Sequence, residues 1–184
     1  MESTQSAKTH SLTFIGLLTA MMCVLAPFSA PIPFSPVPIS LASLVIYFCA
    51  IIGGWKRAAI SVTVYLLLGS IGVPVFAGWT AGFQKFVGPT GGYLIGYLFI
   101  AVIVGYFADK FEGKRLLCLL GLVTGTVVCY LFGTIWLATL MELSFKEALF
   151  LGVIPYLPGD AIKIAFALLC AIPLRKRLKS SGNL

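Results

Sequence analysis

Apolar runs follow one another along almost the whole of this 184-residue chain, separated only by glycine, proline and small clusters of Lys and Arg. A bilayer-spanning helix needs roughly 20 apolar residues, so runs of this kind make lipid rather than water the solvent. The punctuation places them at Ser11 to Pro27, Ile39 to Gly53, Arg57 to Ile71, Gly91 to Ala108, Leu116 to Met141 and Pro158 to Pro173. With 59% hydrophobic and 10% charged residues, no stretch remains for a separate soluble domain. Backbone groups in lipid must be satisfied within the segment, and the two-residue alternation of a membrane barrel is absent. The expected fold is an all-α integral membrane protein with six transmembrane helices. It forms one membrane domain over residues 1–184, with tails at about 1–10 and 174–184.

Basic residues set the orientation, because Lys and Arg stay on the cytoplasmic side of short loops. Lys8, Lys56 with Arg57, Lys110 with Lys114 and Arg115, and Arg175, Lys176, Arg177 and Lys179 all fall on one side of a six-span chain. Both termini are then cytoplasmic. The opposite loops carry little charge: none over Pro31 to Pro38, Lys85 alone over Val73 to Pro89, and Lys146 and Glu147 among the charges before Gly159. The net charge of +7 follows from this asymmetry and does not indicate nucleic-acid binding. Lys8 ahead of an apolar stretch, with Ser29 and Ala30 beyond it, also has the outline of a cleaved leader. Six spans with both ends inside require that helix to be kept.

Several chemistries lack their residues. His10 is the only histidine and lies in the N-terminal tail, so metal clusters and Ser-His or Cys-His catalysis have no member within the membrane. Cys23, Cys49, Cys118, Cys129 and Cys170 show no C-x-x-C spacing and read as small apolar packing residues. Gly113-Lys114 lacks both the upstream glycine and the following Ser or Thr of a phosphate-cradling loop. No ATPase, metal or cofactor is expected in this chain.

Polar groups that remain in an oily chain are candidates for function. The segment from Pro74 to Leu94 mixes glycines with aromatics. Gly82 permits close backbone approach, Trp79 and Phe83 can wall a flat organic molecule, and Thr90 can cap a helix starting near Gly91. Free N–H groups at Gly91, Gly92 and Tyr93 would suit a carboxylate or carbonyl oxygen. A glycine-rich loop with an N-cap and interfacial aromatics explains the same residues. The second constellation is Pro158-Gly159-Asp160-Ala161-Ile162-Lys163, where Asp160 and Lys163 stand one helical turn apart on one face. One reading is an acceptor and donor at a pocket floor; the other is an N-cap Asp with a Lys reaching out to the interface.

Gly88 to Leu94 as GPTGGYL and Pro158 to Lys163 as PGDAIK, with Pro36 to Ile39 and Gly72 to Phe76 in the right order, resemble the BioY family, the biotin-specific capture subunits of energy-coupling-factor transporters. The resemblance spans nearly the whole chain. It implies a subunit that binds biotin from outside and passes it through a membrane-embedded coupling subunit driven by two ATPase subunits on separate chains. It assigns Asp160 and Lys163 to the polar binding positions of the last helix, and Thr90, Gly91, Gly92 and Tyr93 to the loop-to-helix binding segment. Lys85 departs from the family's mostly apolar pattern. Gly16-x-x-x-Ala20 is a small-residue surface, which the resemblance identifies as the docking face for the coupling subunit and which extends to Cys23. A capture subunit for another vitamin is the near alternative, with a membrane-embedded enzyme or a simple facilitator further off.

Overall fold

The computed structural model describes residues 2–181, with side chains from residue 9 onward. Lys8, counted above among the basic residues, and positions 182–184 of the basic tail lie outside the described side chains. The chain runs α1 (Glu2–Leu25), β1 (Ser29–Ile32), β2 (Ser35–Ser40), α2 (Ala42–Ser70), α3 (Gln84–Val87), α4 (Gly91–Lys110), α5 (Arg115–Leu140), α6 (Phe145–Gly152), a 3-10 turn (Ile154–Tyr156) and α7 (Leu157–Ser180). Among the described residues, four helical stretches are long and apolar enough to cross a membrane: α2, α4, α5 and the run from Phe145 to Ser180. The apolar part of α1 is shorter, Thr9–Leu25.

The α2 helix is not straight. Gly54 sits at φ 74° and ψ 174°, outside helical geometry, where a side chain is disfavoured. Ala42 and Tyr65 line the same cavity, although a straight helix would hold them about 34 Å apart. Cys49 Sγ donates to Leu18 O (3.7 Å) while Thr19 Oγ1 donates to Ser61 O (3.4 Å), so both halves flank α1 at one level. The chain therefore folds back at Gly54, where the sequence predicts the break between its second and third spans. A Cβ on Gly54 would stand 2.5 Å from Asp109 Oδ1, and Asp109 Oδ2 accepts from Trp55 N–H (3.0 Å). One carboxylate of α4 thus closes the turn.

The α4–α5 pair packs through small residues, as helices in lipid do when van der Waals contact replaces hydrophobic drive. A Cβ on Gly96 would lie 2.6 Å from Cys129 Sγ, and one on Gly133 would lie 2.2 Å from the Tyr93 ring. Tyr93 reaches over Gly133 and donates to Gly152 O (2.9 Å), which ties α4 to the end of α6. Met22, Tyr47, Ile51, Tyr65, Ile100 and Leu122 are among the fully buried side chains of the core.

Several expectations are corrected. The uncharged segment 31–38 is a β-hairpin, pairing Ser29 with Ser40 and Ile32 with Ser35, so the fold is not purely helical. Its prolines hold φ near −65°, compatible with strand, and their missing N–H groups are tolerated because no third strand follows. Glycine-free ends let α1 and α7 continue through the segments read as tails, from Glu2 and to Ser180. Arg177 and Lys179 in the last turn of α7 favour the helix dipole, and Lys179 pairs with Glu112 (2.7 Å), whose carboxyl is held below its usual range by that hydrogen bond. Residues read as plain loop after α5 include α6, begun by a capping box. Ser144 Oγ accepts from Glu147 N–H (3.3 Å), and the Glu147 carboxylate accepts from Ser144 N–H (2.9 Å).

Candidate functional site

One end of the bundle holds a cavity of about 360 Å³, walled by the hairpin, both halves of α2, the 76–90 loop and the start of α4. A polar recess of about 60 Å³ continues it and shares Val37, Pro38, Ser40, Tyr93 and Tyr97 with it. Asp160 and Lys163 line that recess. The hairpin is pinned over the α6–α7 connection: Ser35 Oγ donates to Leu151 O (2.8 Å), and the Tyr156 hydroxyl donates to Val37 O.

The recess has a defined hydrogen-bond budget. Lys163 Nζ donates to Asp160 Oδ1 (2.8 Å), Ser40 O (2.8 Å) and Ser43 Oγ (3.1 Å), which uses every donor of an ammonium group. Asp160 Oδ1 accepts from Lys163 and, more weakly, from Ser43 Oγ (3.5 Å). Asp160 Oδ2 accepts from the Tyr130 hydroxyl. A carboxylate offers about four lone-pair positions, so Oδ2 keeps capacity for one further N–H. The pair is also well buried, with side-chain exposures of 13% for Lys163 and 11% for Asp160. This geometry removes the N-cap and the outward-reaching Lys from the plainer reading, and leaves Asp160 as the acidic residue of the first turn of α7, where it still favours the helix dipole. Helix α7 starts at Leu157 with Tyr156 at its N-cap, so Asp160 caps nothing, and Lys163 turns inward rather than out to the interface.

Further hydroxyls ring the recess. Thr126 Oγ1 donates to Leu122 O (2.7 Å), which leaves Tyr47 OH as the donor in its 2.6 Å contact with Thr126. Ser43, Tyr47, Tyr97, Thr126, Tyr130 and Tyr156 escaped the sequence reading. Their signal is nonetheless present: Ser43 and Tyr47, Tyr93 and Tyr97, and Thr126 and Tyr130 are each spaced i, i+4, which stacks polar groups on one face of three apolar helices.

The loop-to-helix segment is divided. Thr90 and Tyr93 line the large cavity, together with Lys85, Gln84 and Thr80. Thr90 lies in helical backbone and makes no side-chain cap; its hydroxyl donates to Lys85 O (3.3 Å). Gly91 N–H donates to Gly88 O (3.0 Å), so it is not free for an anion. Cβ atoms on Gly91 and Gly92 would stand 3.0 Å and 2.4 Å from the Trp136 side chain, whose Nε1–H donates to Gly88 O (2.9 Å). These glycines seat α4 against α5 and are not among the cavity lining. Trp79 and Phe83 are 57% and 67% exposed, and with Gly82 they stand outside the cavity wall. Trp79 instead packs edge-on against Phe28, with ring centroids 5.6 Å apart.

On α1, Gly16 and Ala20 share an open face, and a Cβ on Gly16 would meet nothing within 4 Å. Cys23 departs from that face and packs against the core.

Apolar helices around a half-open cavity, with an ion pair at its floor and aromatic hydroxyls on its walls, define a membrane-embedded small-molecule binding protein. A sequence model of the BioY family matches residues 1–180. The biotin transporter BioY of Thermotoga maritima is 36% identical over 161 residues, covering 88% of this chain and 93% of the relative. Biotin transporter BioY2 of Lactococcus lactis is 30% identical over 97% of each chain. A crystal structure of the S-component for biotin from an ECF-type ABC transporter matches with a TM-score of 0.86, at 31% identity over 93% of each chain. The chain belongs to the BioY family.

Proposed function

We propose that this chain is the biotin-capture subunit of an energy-coupling-factor transporter, a multi-pass protein of the cytoplasmic membrane. The observation that carries this reading is the Asp160–Lys163 pair, buried at the end of a cavity sized for a small molecule. Biotin presents a planar ureido group with N–H donors, an apolar thioether ring and a flexible tail ending in a carboxylate. The remaining acceptor site on Asp160 Oδ2 receives a ureido N–H, and Lys163, fully engaged with Asp160, Ser40 and Ser43, fixes the carboxylate rather than donating to ligand. Tyr65, Tyr97, Phe76 and Val37 cover the ring.

The N–H groups of Gly91 and Tyr93 already donate, to Gly88 O and Thr90 O, which favours a side-chain partner for the carboxylate. Lys85 is the cation on the cavity wall, and among the described residues it forms no ion pair. Lys85→Met is expected to weaken biotin binding about tenfold, the lower end of a charge-assisted hydrogen bond, because the site is half open. Biotin amide, which lacks the charge, is expected to bind wild type and Lys85→Met equally. An amide that binds wild type as tightly as the acid removes Lys85 from this role.

In the membrane, α1, the two halves of α2, α4, α5 and α7 are the six spans, with both termini cytoplasmic and the cavity facing outward. This orientation is supported by Lys56, Arg57, Lys110, Lys114, Arg115, Lys176, Arg177 and Lys179, which share the end remote from the cavity. The coupling subunit and two ATPase subunits are separate chains, and the open Gly16 and Ala20 face of α1 is where the coupling subunit docks. Gly16→Leu with Ala20→Leu is expected to leave biotin affinity unchanged and to abolish ATP-driven uptake in proteoliposomes holding the full complex. Undiminished uptake would place docking elsewhere, and equal loss of binding and uptake would argue against a docking face.

Calorimetry of the purified protein against biotin, thiamine and riboflavin tests the substrate. Submicromolar binding of biotin alone is the expected result; preference for either other vitamin overturns it.

A further inference from the structure

We propose that the end of the bundle remote from the cavity carries a phosphate-oxygen site that seats the head group of an anionic phospholipid. Arg175 of α7 is 7% exposed there. Its Nη1 donates to Ile51 O (2.5 Å) and its Nη2 to Asp109 Oδ1 (2.6 Å), which ties α7 to the first half of α2 and to α4. Its buried Nε–H has no partner among the described residues. An unmet donor on a buried cation is costly and calls for an acceptor.

Arg175 lines a recess of about 20 Å³ together with Glu112, and its rim carries Lys114 and Lys176, both exposed. Gly113, at φ 80°, lets the α4–α5 connection turn so that Lys114 follows beside α7; a Cβ there would stand 3.9 Å from Lys176 Nζ. The acidic groups nearby are already engaged, Asp109 by Arg175 and Trp55 N–H, Glu112 by Lys179. The rim is therefore left with positive charge.

Size limits the occupant. The recess takes one oxygen atom, about the space of a single water, and cannot enclose a whole phosphate. A phosphate fits by pointing one oxygen into the recess toward the Arg175 side chain while its remaining oxygens stay outside, between Lys114 and Lys176. Such charge-assisted bonds are the strong class of hydrogen bond. On the orientation proposed above, this rim lies at the cytoplasmic leaflet, where anionic head groups are concentrated and basic pockets between helices bind them.

The test uses the full-length protein in nanodiscs of phosphatidylcholine with or without phosphatidylglycerol, with bound lipid read by native mass spectrometry and biotin affinity measured in parallel. Wild type is expected to retain phosphatidylglycerol over phosphatidylcholine. Lys114→Gln and Lys176→Gln are each expected to lower that retention about fivefold, and the pair more, with biotin affinity unchanged. Arg175→Lys, which keeps the charge toward Asp109 but removes Nε–H, is expected to reduce retention as well. Equal retention of the two lipids by wild type, as when a water alone fills the recess, overturns the proposal, and so does full retention by the double lysine variant. Displacement of phosphatidylglycerol by millimolar inorganic phosphate in detergent upholds the site and assigns it to free phosphate. Loss of biotin binding with lipid retention intact would instead count against the capture reading alone.

Discussion

Asp160→Asn is expected to weaken biotin binding by about tenfold to a hundredfold in calorimetry while the protein stays folded. Asn keeps the shape and one acceptor oxygen, so the change removes the charge without a change of size. A hydrogen bond to a charged group is worth about 1.5 to 3 kcal/mol, which sets that range. Because α7 begins at Leu157, no helix cap is altered. The substitution also exchanges an acceptor for an amide donor. Oriented toward Tyr130, that amide would leave the Tyr130 hydroxyl without an acceptor; oriented toward Lys163, it would face an ammonium. Either arrangement disturbs the recess without opening a cavity. Wild-type affinity in Asp160→Asn would remove Asp160 from the binding site.

Lys163→Met is expected to have the larger effect on stability. It leaves the Asp160 carboxylate, 11% exposed, without its counter-charge, and breaking a buried pair from one side is destabilising by about 3 to 5 kcal/mol. Ser40 O and Ser43 Oγ lose their donor at the same time. The double variant Asp160→Asn with Lys163→Met is expected to recover much of the lost thermal stability, since no lone charge remains buried, yet to bind biotin no better than Asp160→Asn. Non-additivity of this kind is the signature of two groups acting as a unit. Additive losses in the double variant would show that Lys163 does not act through Asp160. Full biotin affinity in a folded Lys163→Met protein would show that the fixing of Asp160 is dispensable.

Much of the fold is legible in the residues themselves. The break at Gly53-Gly54 before Lys56 and Arg57 marks where α2 folds back, because φ 74° with ψ 174° is a conformation essentially confined to glycine and because paired basic residues belong in water. GPTGGYL and PGDAIK locate the walls and floor of the cavity, and they identify the family before any coordinate is known. The hairpin at residues 29–40 was hidden by its prolines, which usually argue against strands and are accommodated here because the sheet has only two. Trp79 and Phe83 read as pocket aromatics, since composition cannot distinguish a ring that walls a cavity from one that faces out.

The sequence alone determines the solvent, the helical class, the side on which basic residues gather and the two polar motifs, because each depends on local chemistry and spacing. Tertiary structure decides which groups meet. It brings Ser40 and Ser43 to Lys163 and Tyr130 to Asp160 from positions 30 to more than 100 residues apart in the chain, and it buries Gly91 and Gly92 beneath Trp136. It also directs Arg175 to Asp109 and Ile51, leaving the buried Nε–H without a partner among the described residues. None of this follows from periodicity, because the rotation of one helix against another is set by close packing over small residues, and a small change in that rotation would give each polar group a different partner.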